Sequence, residues 1–187
     1  MVVFNRGPRD PGTYYLVKNG AIKVIGSQMP WFSSDRLADV KEIKYKSRDG
    51  KLIRGFITIP NSDGPHPLVV MPHGGPHGPF DTWNYDPEPQ YLGHLGMATL
   101  KVNFRGSGGY GGDFEAQGFR EWGRKIQYDL VDGALEAIKR YGLNGEKVGI
   151  MGGSFGGYSA LQASIVEPDF FKAAVGVVGI YDFRLMY

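Results

Sequence analysis

The chain has 187 residues, 42% of them hydrophobic and 21% charged, and 21 Lys+Arg against 19 Asp+Glu leave a formal net charge of +2. That balance excludes a disordered chain and argues against a nucleic-acid partner, and no apolar run reaches the ~18 residues of a membrane helix. With no Cys there is no disulfide framework and no thiolate zinc site, and the length suits one domain plus an appendage.

The opening MVVFNRGPRD lacks the apolar stretch of a secretory signal, which leaves the location unknown with the cytoplasm favoured. Thr13–Lys18 and Ala21–Ile25 then flank Asn19-Gly20, a turn pair suited to positive φ at both positions, and predict a lone β-hairpin. A linker with Met29-Pro30 and Ser33-Ser34-Asp35 follows. A second hairpin pairs Glu42–Ser47 with Leu52–Ile59 across Asp49-Gly50-Lys51. Lys44, Lys46 and Arg48 alternate with Ile43 and Tyr45 there, as the wet face of a strand would.

From residue 67 strands and helices alternate. Pro67–Met71 reads as a buried strand, Tyr91–Leu95 as a helix end capped by Gly96, and Met97–Phe104 as the next strand. Ile126, Leu130, Ala134 and Ile138 recur every four positions, with Val131 and Leu135 widening the stripe of a helix that stops near Gly142. Lys147–Met151 predicts a strand, Tyr158–Ile165 a helix and Ala173–Ile180 another buried strand. The alternation implies an α/β fold, a mostly parallel sheet with helices on both faces.

The 29 glycines cluster at residues 74–78, 106–112 and 149–157, each cluster after an apolar run. Gly152-Gly153-Ser154-Phe155-Gly156 matches G-x-S-x-G, between a strand and a helix. That is the context of a nucleophile elbow, in which a strained turn lifts the serine Oγ clear of the sheet. His73-Gly74-Gly75-Pro76-His77 follows an earlier strand. Acyl transfer needs two backbone N–H groups aimed at the developing oxyanion, and Gly75 and Phe155 fit those roles. Gly-Gly-Pro between His73 and His77 prevents the helix that would align them on a metal, so no metal site is expected. Gly106, Gly108 and Gly111 spell G-x-G-x-x-G, but the acid a dinucleotide site would want, Asp129, falls inside the helical stripe. No cofactor is expected.

Together these motifs resemble the peptidase domain of the prolyl oligopeptidase family, closest to its acylaminoacyl-peptidase branch. The residues that carry the resemblance are Arg48-Asp49-Gly50, a strand ending Ile59-Pro60, HGGPH, NFRGSGGYG, GGSFGG with Tyr158, and Tyr181-Asp182-Phe183-Arg184. It runs from about residue 40 to the last residue. The Tyr14–Ile25 hairpin resembles the closing strands of the β-propeller that precedes the hydrolase domain in that family. The resemblance implies an α/β-hydrolase fold over residues 39–187, after a propeller-like segment and linker over residues 1–38. It also implies a serine peptidase acting on short peptides.

The family's triad runs Ser, Asp, His, yet His66, His73, His77 and His94 all precede Ser154, and the resemblance gives Asp182 a structural role. A serine without a base is a poor nucleophile. A chain cut before its last strands accounts for this, and the sheet edge it exposes offers a surface for self-association. The expected activity is therefore that of the complete protein, which cleaves short or N-acylated peptides through an acyl-enzyme, while the isolated chain is expected to be inactive. A carboxylesterase or lipase on the same fold, and a non-catalytic remnant or interaction module, are the alternatives.

Overall fold

Two separate sheets organise the chain in the computed structural model, which describes residues 1–182 and Arg184. The first holds β1 (Val2–Gly7), β2 (Asp10–Lys18) and β3 (Ala21–Ser27) in that order. Asn19 and Gly20 turn β2 into β3 with φ of 50° and 76°, the left-handed pair their identities predict. The predicted lone hairpin is one strand short, because β1 pairs antiparallel with β2 from Val2↔Leu16 onward. Gly7-Pro8, a turn pair between β1 and β2, was the signal that marks the extra strand.

The second sheet contains β4 (Asp39–Lys46), β5 (Leu52–Ile59), β6 (Leu68–Val70), β7 (Ala98–Asn103), β8 (Val148–Gly153) and β9 (Ala173–Val177) in the order β4-β5-β7-β6-β8-β9. A hairpin makes β4 and β5 antiparallel, and β5 also runs antiparallel to β7. The pairs β7-β6, β6-β8 and β8-β9 are parallel. Between them lie α1 (Pro87–His94), the short α2 (Gly112–Ala116), α3 (Lys125–Tyr141) and α4 (Phe155–Val166).

Strand alternation puts helices on both faces. Tyr45 points to one face, where its hydroxyl donates to the Asp129 carbonyl of α3 at 2.6 Å. Thr58, on the other face, lies against Gly93 of α1, where a Cβ would sit 2.9 Å from Ala38. Asp86 caps α1 by accepting the Glu88 amide, with Pro87 in the first turn. The stripe of α3 buries Ile126, Leu130, Val131, Ala134 and Ala137 against the sheet, and each large aliphatic there contributes about 1.5–3 kcal/mol. Leu135 departs from the predicted stripe: it is 50% exposed, one position beyond the arc that faces β4–β7. Gly142, at φ 64°, ends the helix in the left-handed conformation.

Two expectations at the C-terminal side need correction. The helix predicted from Tyr158 begins at Phe155, directly after the serine. Ala173–Val177, read as a buried strand, is exposed at all five residues; among the described residues it is the edge strand, with β8 on one side, which agrees with the open sheet edge expected of the sequence. Within the Tyr181–Arg184 segment, Phe183 lies outside the described residues. Asp182 there accepts from the Arg184 backbone amide and guanidinium at 2.7–3.0 Å. Among the described residues no helix is long and apolar enough to cross a membrane.

Candidate active site

Close backbone packing shapes the turn at Ser154. The strand β8 ends at Gly153 and α4 begins at Phe155, so Ser154 alone reverses the chain, with φ 55° and ψ −122°. A non-glycine residue rarely holds that conformation, and it costs of order 1–3 kcal/mol unless its surroundings enforce it. Here they do. A Cβ at Gly152 would lie 2.6 Å from the Gly156 carbonyl carbon, and one at Gly156 would run into the Pro72 carbonyl oxygen. The Ser154 amide donates to Val177 O at 2.9 Å and its carbonyl accepts from the Tyr158 amide at 3.1 Å. The serine is thereby left exposed at the end of the sheet. Gly156→Ala should force α4 and the end of β6 apart, at about 1–3 kcal/mol. Urea unfolding of the full-length protein measures this, and an unchanged midpoint would contradict the tight approach.

Phe155 opens α4, so its amide has no acceptor within the helix and lies at the positive end of the helix dipole. The loop after β6 passes beside it, and a Cβ at Gly74 would sit 3.6 Å from Ser154 Cβ. Gly75 follows with φ 128°, a value that side chains avoid. Gly75, distant in sequence from the adjacent Ser154 and Phe155, thus follows a strand, β6, that pairs in parallel with the β8 strand preceding the serine. An open groove of about 390 Å³ adjoins them, bordered by Gly74 and Gly153 and, across it, by Asp81 and Lys101. Lys101 is held there by Asp81 at 2.8 Å and by Asp86.

The histidines are occupied elsewhere. His66 bridges Gly96 O and Ser62 O, and His94 is exposed on α1. His73 contacts Gly74 O at 2.6 Å and Ser107 Oγ at 2.8 Å, while His77 accepts from Trp122 Nε1 at 3.1 Å. Burial lowers the basicity of both rings. They face different partners. Among the described residues Ser154 Oγ has no hydrogen-bonding side chain.

The glycine-rich loop after β7 backs this site. A Cβ at Gly108 would strike the Gly78 carbonyl, so the second glycine of the G-x-G-x-x-G pattern serves loop-to-loop contact. Asp129, the acid nearest the dinucleotide spacing, is fully buried against Arg105. Its carboxylate takes the Arg105 guanidinium at 2.7 and 2.8 Å and the Arg105 amide at 3.0 Å. Asp49 grips the same guanidinium at 2.7 and 3.0 Å, and that contact holds the Asp49 carboxyl down at about 2. Arg48, beside it, ties the β4–β5 turn to Asp132 of α3 at 2.8 Å. Arg48-Asp49-Gly50 and Arg105 were legible as motifs, but not that Arg105 joins Asp49 to the buried Asp129. The available signal was an acid inside an apolar helical stripe, since a buried carboxylate requires a cation.

A family model described as "Prolyl oligopeptidase family" matches residues 83–187. The chain is similar to "Dipeptidyl aminopeptidase BIII" of Pseudoxanthomonas mexicana, at 37% identity over 169 residues, covering 86% of this chain and 24% of that protein. It is 30% identical over 138 residues to the "Acylamino-acid-releasing enzyme" of Rattus norvegicus, covering 73% of this chain and 19% of that one. Among solved structures, the Pyrococcus horikoshii acylaminoacyl peptidase superposes with a TM-score of 0.82 at 25% identity, over 96% of this chain and 29% of its own. The chain thus spans about a quarter of the length of the relatives it matches.

Proposed function

The chain belongs to the prolyl oligopeptidase family of serine peptidases, and from that premise we propose that Ser154 is its nucleophile and that Gly75 and Phe155 supply the oxyanion hole. The observation that carries this reading is the exposed Ser154, held at φ 55° between β8 and α4 beside Gly74. Ser154 Oγ attacks the scissile carbonyl carbon, and its proton passes to a histidine base. The amides of Gly75 and Phe155 take the charge that develops on the carbonyl oxygen, each contributing about 2.7–4 kcal/mol to the transition state. The C–N bond then breaks, the histidine returns its proton to the leaving amine, and water hydrolyses the acyl-enzyme. No histidine follows Ser154 in these 187 residues, so turnover is expected of the full-length protein rather than of this chain alone.

The substrates are short or N-acylated peptides, a reading supported by the similarity to acylamino-acid-releasing and acylaminoacyl peptidases. The elbow geometry serves esters equally well. Full-length protein assayed with an N-acyl-peptide anilide and with a p-nitrophenyl ester of a simple fatty acid separates the two. The peptide anilide is expected to have the higher kcat/KM, and a strong preference for the ester would replace the peptidase reading with a carboxylesterase.

A further inference from the structure

Where the chain passes from the first sheet to the second, it leaves a groove that the catalytic reading does not use. The buried Gln90 of α1 holds the linker beside the helix. Its amide oxygen accepts from Ala38 N at 2.8 Å, and its nitrogen donates to Ala38 O at 3.1 Å. The same nitrogen reaches Pro8 O, between β1 and β2, at 3.2 Å. Between linker and helix lies an open groove of about 370 Å³. Sites for small ligands usually measure ~300–1,000 Å³ and favour such junctions.

The walls of the groove are aromatic and aliphatic. Phe32 stands edge-on to Tyr85 at 6.2 Å, Leu37 is buried, and Tyr91 is exposed on the helix side. With the Gln90 amide engaged, the polar groups left over can all donate. Arg36, in the single 3-10 turn Ser34–Arg36, is exposed and makes no ion pair among the described residues. Tyr85 is 7% exposed, yet its hydroxyl has no hydrogen-bond partner among them. Burial, and after it Asp86, push that hydroxyl's pKa up, so it stays a donor. His94, in the last turn of α1, also lacks a partner and presents an N–H in either tautomer. No acidic side chain is among the described lining residues. A largely buried hydroxyl without a partner is costly, and an acceptor carried in by a ligand would relieve it.

We propose that this groove binds a small aromatic carboxylate. The ring lies among Phe32, Tyr85 and Tyr91. The carboxylate takes the Arg36 guanidinium fork, with the Tyr85 hydroxyl and the His94 ring as further donors. None of these residues lines the groove beside Ser154, so the site does not depend on the proposed nucleophile.

The test titrates 3-phenylpropionate into the full-length protein by calorimetry, before and after a phosphonate has blocked Ser154. The expected Kd is on the order of 0.1–1 mM, the same in both forms. Arg36→Met keeps an apolar wall but removes the charge, and it should weaken binding at least about tenfold with kcat on a peptide anilide unchanged. Tyr85→Phe should weaken it about threefold. The neutral 3-phenylpropanamide should bind wild type at least about tenfold more weakly than the acid, and should not distinguish wild type from Arg36→Met. Irradiation with benzophenone-4-carboxylate should label peptides spanning residues 32–37 and 85–94, and excess 3-phenylpropionate should suppress that labelling. The absence of saturable binding to wild type overturns the site, as does equal affinity in Arg36→Met or labelling confined to other peptides. Binding lost after phosphonate treatment would move the ligand to the groove beside Ser154 and overturn it too. A protein that the phosphonate fails to modify would instead count against the nucleophile and leave this titration standing.

Discussion

Ser154→Ala in the full-length protein is expected to reduce kcat on a peptide anilide by on the order of 10⁶-fold, with KM almost unchanged. The proposed site has two separable parts. Removing Oγ abolishes the covalent route, because the base then has no hydroxyl to deprotonate and no acyl-enzyme forms. The Gly75 and Phe155 amides remain, and a site stripped of its nucleophile retains a residual catalysis of about 10³–10⁴ over water from such donors and from binding. The exposed position of Ser154 keeps the fold out of the result, since no core contact is lost. Alanine does inherit the strained φ of 55°, but the serine already carries that cost. Unfolding midpoints for mutant and wild type should therefore agree. Turnover in the mutant within tenfold of wild type would remove Ser154 from the mechanism.

Arg105→Met should destabilise the fold by about 3–5 kcal/mol, the largest effect on stability expected of any single substitution considered. The Arg105 side chain is 4% exposed and the Asp129 carboxylate beside it is fully buried. Methionine fills the volume but leaves Asp129 as an uncompensated charge in the interior, which costs far more than the lost pair itself. Adding Asp129→Asn should restore part of the loss, because the double variant no longer buries a lone charge. Urea unfolding of the two single variants and the double variant gives the coupling, and additive losses would disprove the pairing.

Acid unfolding supplies an independent readout of the same network. The Asp49 carboxyl is held at about 2 in the folded chain, below its ordinary value of 3.8. Its contribution is therefore complete above the unfolded value and is lost as the pH falls toward 2. In Arg105→Met the first and largest cause of that depression is gone, so the stability difference between wild type and variant should shrink as pH drops through this window. A difference independent of pH there would show that Asp49 does not depend on Arg105.

Both experiments bear on why the site was only half legible before its structure. The elbow could be read because its requirements are local. A residue with φ near 55° between a strand and a helix needs small neighbours two positions away, and Gly152 and Gly156 occupy them. The glycine loop after β6 was legible for the same reason, as a glycine pair after an apolar run. Unreadable was what holds that loop. The Ser107 hydroxyl lies 34 residues from His73, and the Trp122 indole lies 45 residues from His77. Nothing in either motif names its partner.

Local backbone chemistry also accounts for the elements that the sequence by itself determined. Asn19-Gly20 turned a hairpin, the apolar spacing from Ile126 built α3, and Gly142 stopped it, because φ preference and hydrophobic period act within a few residues. Strand order belongs to the tertiary structure alone. That order places β9 at an edge, so that an apolar run which reads as interior is exposed, and it brings β6, β7 and β8 side by side. From that adjacency comes the approach of Gly74 to Ser154, while the packing of α3 against β7 brings Asp129 to Arg105. A buried charge or a mobile glycine pair is stabilised by whichever groups the sheet brings beside it, and a linear pattern carries no record of those neighbours.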